Sequence, residues 1–105
     1  LTVIPEKYNM FGMHHSFRFD RADYDRYDIL KEHAVPISTS ETELLQNYDT
    51  NEQLHTDCYG DILTIIRVDK FIEIYEIADL TDWDKGIISF LKCLDQSQQL
   101  MLYYH

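Results

Sequence analysis

Two clusters carry side chains suited to covalent or metal chemistry. The first is His55-Thr56-Asp57-Cys58. A cysteine beside a histidine can form a thiolate–imidazolium pair, the nucleophile of acyl-transfer chemistry. That nucleophile also needs oxyanion donors, and no glycine-rich turn or helix start around Cys58 supplies them. The same two side chains could ligate zinc, but a zinc site takes four ligands at a recognisable spacing. Cys93, the second cysteine, falls on a helix read as part of the core. The second cluster is His14-His15. On a strand, successive side chains point to opposite faces, so the two rings do not serve one site. One hydrogen-bonded and one solvated ring is the simpler reading. His33 falls near a helix end, where a cation meets the helix dipole favourably.

Carboxylates are too numerous to identify a site by their presence. Glu73 and Glu76 have an odd separation and, read on a strand, face opposite sides. Asp82 and Asp84 fit the first turn of a helix. The stretch Asp49-Thr50-Asn51-Glu52-Gln53 begins like a calcium loop but has Leu54 where the turn requires glycine. No phosphate-binding loop, dinucleotide fingerprint or nucleophile elbow occurs, and three glycines in 105 residues leave little material for one. The expectation is therefore no catalytic residue, no metal and no cofactor. Two alternatives stand beside it: a small enzyme or ligand-binding domain using His55 and Cys58 or His14 and His15, and a structural oligomerising domain.

Charge says more. The net charge is −10, and its distribution is uneven. Residues 1–31 balance five acids with five bases, whereas residues 32–84 hold thirteen acids against Arg67 and Lys70 alone. Between Lys31 and Arg67 there is no base, but Glu32, Glu41, Glu43, Asp49, Glu52, Asp57 and Asp61 all fall there. A field of this sign repels phosphate backbones and anionic membranes, and it steers a basic partner. Against that stands the plain alternative of an acidic surface serving solubility only.

Eight tyrosines and one tryptophan are many for this length. Both residue types bury large area while keeping a polar tip, which makes them interface anchors. Tyr48 and Tyr59 bracket the base-free loop. The expected partner-binding residues are Tyr48, Asp49, Glu52, Asp57, Tyr59 and Asp61. Carboxylates there would occupy the phosphate-binding Arg and Lys of a nucleic-acid enzyme, and tyrosines would fill its base pockets. In size, acidity, tyrosine content and lack of a catalytic motif, the chain resembles bacterial nuclease-toxin immunity proteins. The resemblance rests on general character and on no motif, and such proteins do not share one fold. It implies a small inhibitor, an immunity protein or antitoxin, that blocks a basic nuclease toxin. A phage-type inhibitor of a host nucleic-acid enzyme would look the same.

The elements that must position these residues follow from periodicity and caps. The length suits one domain over 1–105, and 45% hydrophobic residues can build its core. No apolar run approaches the roughly 20 residues of a membrane span. No export signal is visible in residues 1–5, so both thiols are read as reduced in a cytoplasm. A first strand is expected at residues 2–4 and another, from the alternation of Met13, Phe17 and Phe19, at 13–19. Asp20 can cap a helix bearing Tyr27, Leu30 and Ala34, which must stop before Pro36. Ser40 and Glu43 make a capping box for a second helix. The β-branched run 62–68 and the run 71–77, joined at Asp69-Lys70, predict an antiparallel hairpin. Thr81 opens the strongest helix, with Trp83, Ile87, Phe90, Leu91 and Leu94 as its apolar stripe. Gly86, inside it, implies close packing or a bend. The run from Leu100 to Tyr104 is apolar on both faces, so it must be central in the sheet, covered, or paired with another copy. A homodimer is compatible with this but not specifically indicated. The fold class is α+β (or α/β): a single small sheet including the 62–68/71–77 hairpin, with two or three helices packed on it.

Overall fold

The computed structural model describes residues 1–6, 9–10, 13–37, 56–76 and 79–105. Within them lie strands β1 (Thr2–Pro5), β2 (Asn9–Met10), β3 (Met13–His14) and β4 (Phe17–Arg18), helix α1 (Tyr24–His33), and strands β5 (Val35–Pro36) and β6 (Thr64–Arg67). Helices α2 (Val68–Tyr75) and α3 (Asp82–Leu91) and strand β7 (Gln99–Tyr103) follow. The fold is α+β. One five-stranded antiparallel sheet runs β4-β1-β7-β6-β5, and β2 and β3 form a separate two-stranded ribbon.

Strand β7 occupies the centre, which explains its two apolar faces. Leu102 is paired with Val3 on one side and with Thr64 on the other, and Met101 with Ile4 and Ile65. Leu100 and Leu102 face the three helices and join Val3, Ile66, Phe71 and Leu91 in the main core. Met101 points to the opposite face, where it joins Ile4 and Leu63 in a smaller cluster.

The hairpin expectation is corrected. Residues 64–67 are a strand, but 68–75 are helix α2, with no loop between. Val68, Phe71, Ile72 and Tyr75 are spaced i, i+3, i+4, i+7 and are all buried. That stripe packs on the sheet and outweighs the modest helix penalty of β-branched residues, which is at most about 0.7 kcal/mol each. Asp69 sits in the first turn of α2, where it pairs with Arg67 at 3.0 Å, instead of in a β-turn. Glu73 and Glu76 consequently lie on and just after a helix, pairing with Lys70 and Lys92 respectively.

Other expectations shift by smaller amounts. Helix α1 forms, but its cap is Asp23, whose carboxylate accepts the Arg26 N–H at 3.1 Å. Asp20 stands three residues too early. The strand expected at 13–19 is two short strands, β3 and β4, with a break at His15 and Ser16. Thr81 caps α3 as expected. Trp83 leaves the expected stripe and is 65% exposed. Its indole Nε1 donates to the Arg18 carbonyl of β4 at 2.9 Å, which covers part of an open sheet edge. The helix expected after Ser40 lies outside the described residues, as does the 49–54 stretch.

Gly86 is neither a close-packing position nor near a steric neighbour. It is exposed, and a Cβ there would meet nothing within 4 Å. Gly86→Ala is therefore expected to stabilise the fold by up to about 1 kcal/mol, because alanine loses less backbone freedom in a helix. A urea midpoint that does not rise would contradict this.

Candidate functional site

The acidic loop enters the described structure at its second half. Residues 57–61 form a tight turn closed by an antiparallel bridge between Thr56 and Ile62. The Asp57 N–H donates to the Asp61 carbonyl at 2.9 Å, and the Gly60 N–H to the Asp57 carbonyl at 3.1 Å. Asp57 Oδ1 accepts the N–H groups of Tyr59 and Asp61 at 2.9 and 3.1 Å. Asp and Asn favour such turns because their side chains satisfy backbone donors two residues on. Gly60 takes φ +84°, a left-handed conformation that costs other residues.

This turn separates the roles of three expected partner-binding residues. Asp57 is 7% exposed and holds the turn from beneath. Tyr59, 65% exposed, and Asp61 stand on its outer surface. Tyr48, Asp49 and Glu52, the other three, lie outside the described residues. So does His55, the partner of Cys58 in the nucleophile reading. Cys58 is exposed, and its backbone N–H reaches the Tyr104 carbonyl at 3.4 Å, which ties the turn to the end of β7. The backbone of His14 ends β3, while its side chain is outside the description, and His15 is half-buried just beyond that strand. Among the described residues, no group of three or more His, Cys, Asp and Glu side chains gathers as for a metal ion. No described helix is long and apolar enough to cross a membrane.

Opposite the turn stands α1. Tyr24, Tyr27 and Lys31 are spaced i, i+3 and i+7 and so share one helical face. Tyr24 is 71% exposed in the first turn, while Tyr27 is buried one turn on. Their rings meet edge to face at 5.7 Å, and Tyr27 meets Tyr104 the same way at 5.3 Å. The Lys31 ammonium lies 4.9 Å from the centre of the Tyr104 ring. Between α1 and the turn runs a groove of about 360 Å³, with Tyr104 and His105 at its base. Burial raises the phenol pKa of Tyr27 and, more strongly, that of Tyr104.

The sequence reading named Tyr59 and Asp61 but missed Tyr24, Lys31 and Tyr104. The i, i+3, i+7 spacing of 24, 27 and 31 is visible in the chain. That this face meets the 57–61 turn is not, since the two are brought together by β7 pairing between β1 and β6. A second exposed aromatic patch lies elsewhere, where Trp83, Phe17 and Phe90 line an apolar groove of about 330 Å³. The Phe17 and Phe90 rings are 4.7 Å apart. Comparison with protein-family models, with curated proteins and with solved structures finds no match, so the reading of this site rests on its own geometry.

Proposed function

We propose that the chain is a small acidic cytoplasmic binding protein that neutralises a basic protein partner, in the manner of an immunity protein or antitoxin that covers the nucleic-acid-binding surface of a nuclease toxin. The observation that carries this reading is the meeting of two features in one groove. The C-terminal part of the 35-residue base-free stretch, with Tyr59 and Asp61 exposed, faces the exposed Tyr24 of α1. Exposed tyrosine next to exposed carboxylate suits a partner rich in arginine and lysine, because the ring supplies contact area and the charge steers encounter. The net charge of −10 disfavours direct nucleic-acid binding. In this reading the protein is not an enzyme, and its two cysteines are reduced thiols.

The test is affinity capture from a lysate of the producing cells, at low and at moderate salt, followed by kinetics with the purified partner. One stoichiometric basic protein is expected. Replacing Glu52 and Asp61 together by Lys is expected to weaken its binding at least about tenfold, chiefly through slower association that is steepest at low salt. An unchanged association rate, or a captured partner of acidic character, would overturn the reading.

A further inference from the structure

We infer that the groove between α1 and the 57–61 turn receives an arginine side chain of the basic partner, in the place that Lys31 fills in the free protein. This rests on the reading above and names the group the groove would recognise. The groove has an aromatic base and two aromatic rims. Tyr104 lies at the base, and the exposed rings of Tyr24 and Tyr59 stand at the sides. A cation already sits there, since the Lys31 ammonium is 4.9 Å from the Tyr104 ring centre, within cation–π range. The protein thus carries its own stand-in for the ligand. Lys31 is exposed and on a flexible four-carbon stem, so it can swing away along α1.

Arginine fits the vacated place better than lysine for three reasons. A guanidinium is more weakly hydrated than an ammonium, so it gives up its water more readily on entering an aromatic slot. Its plane stacks on ring faces, and two or more exposed rings are offered. Its forked donors match a carboxylate bidentately, and Asp61 presents an exposed carboxylate at the rim. Asp57 is the less available acid, because its Oδ1 already accepts two backbone N–H groups. The Tyr104 hydroxyl, buried and without a hydrogen-bond partner among the described residues, adds a polar group at the base. In the free state Lys31 competes with the ligand for the ring and repels its charge, so Lys31 is a brake on binding even though it lines the site.

That last point distinguishes the proposal from general acidity. The experiment titrates the full chain, at low salt, with Nα-acetyl-arginine amide, its lysine analogue and its uncharged citrulline analogue, followed by NMR shifts of the tyrosine rings. Saturable shifts at Tyr24, Tyr59 and Tyr104 are expected, with arginine at least about threefold tighter than lysine and citrulline showing none. Asp61→Asn and Tyr59→Ala are each expected to weaken arginine binding by about threefold or more, and Lys31→Met to strengthen it by a similar factor. Arginine shifts no larger than citrulline's, or weaker arginine binding in Lys31→Met, would overturn the proposal. The two levels fail separately. If charge reversal releases a captured basic partner but free arginine leaves the groove rings unmoved, the groove assignment alone falls. If no basic partner is captured at either salt while arginine still seats on the rings, the inhibitor reading alone falls.

Discussion

Asp84→Ala is expected to destabilise the fold by about 3 kcal/mol, because its buried carboxylate accepts two backbone N–H groups of the segment before α1. Asp84 is 1% exposed on the first turn of α3. One oxygen accepts the Asp20 N–H at 2.7 Å, and the other takes the Arg21 N–H in a longer contact of 3.4 Å. Its own N–H is held by the Thr81 hydroxyl at 3.2 Å. The residue therefore joins the start of α3 to the segment leading into α1, more than sixty positions away in the chain. Truncation removes the acceptor that the two N–H groups share. Hydrogen bonds to charged groups contribute about 1.5–3 kcal/mol each, so one short and one long bond sum to the stated value. The melting temperature should fall by roughly 15 °C at 4–8 °C per kcal/mol for a domain of this size. Asp84→Asn keeps one acceptor oxygen but turns an amide donor towards the other N–H, so it should recover only part of the loss. Thr81→Ala, which removes the cap alone, should cost about 1 kcal/mol. A urea midpoint showing less than 1 kcal/mol lost in Asp84→Ala would refute this assignment.

Alkaline pH is expected to unfold the protein steeply once it passes about 10. Tyr75 and Tyr104 are buried, and burial pushes both phenols far above the ordinary tyrosine value of 10.0. Neighbouring phenols and carboxylates reinforce the shift, with Tyr27 the next cause for each. The sign follows from which state holds the proton. Below pH 10 the folded and unfolded chains both keep these protons, and the stability they accompany is fully present. Above pH 10 the unfolded chain releases them while the folded chain retains them, so stability falls as pH rises. Each such group costs about 1.4 kcal/mol per pH unit, so the pair removes nearly twice that. Urea midpoints measured from pH 8 to pH 12 should show this slope. Tyr75→Phe and Tyr104→Phe should each flatten it by about 1.4 kcal/mol per pH unit, since phenylalanine has no proton to lose. Neither substitution should lower stability at pH 7, because both hydroxyls are buried without a hydrogen-bond partner among the described residues. An unaltered alkaline slope in the double variant would place its cause elsewhere.

The tyrosines and carboxylates in these two predictions also show where sequence reasoning reached and where it stopped. Thr81 before Asp82 and Asp84 is a helix start by local chemistry alone, and α3 begins there. Nothing local distinguishes Asp82, which remains at the exposed first turn, from Asp84, which is buried under the segment before α1. The difference depends on which side of α3 meets that segment. Trp83 illustrates the same limit. Its spacing placed it in the core, but the structure uses its ring to cover the β4 edge through a hydrogen bond.

That Val68–Tyr75 is a helix and not a second hairpin strand has a definite cause. Residues 62–77 are rich in β-branched side chains, eight of sixteen, and that composition is shared by a buried strand and a helix buried on one side. The i, i+3, i+4, i+7 pattern of Val68, Phe71, Ile72 and Tyr75 was present and favoured a helix, but short alternation within 71–77 competed with it. Packing decided, because only a helix from Val68 sets all four side chains against the helix-facing side of the sheet.

What the chain determined by itself is therefore local or collective. Periodicity placed α1, periodicity and the Thr81 cap placed α3, the two apolar faces of 100–104 required a covered strand, and the charge distribution marked 32–66 as the acidic stretch. What only the tertiary structure decided is which local features meet. The central position of β7, the burial of Asp57 and Asp84, and the groove that joins Tyr24 and Lys31 to Tyr59 and Asp61 all depend on contacts between distant segments. Such contacts are selected by the simultaneous burial of several apolar faces on one sheet, and no window of sequence contains that sum.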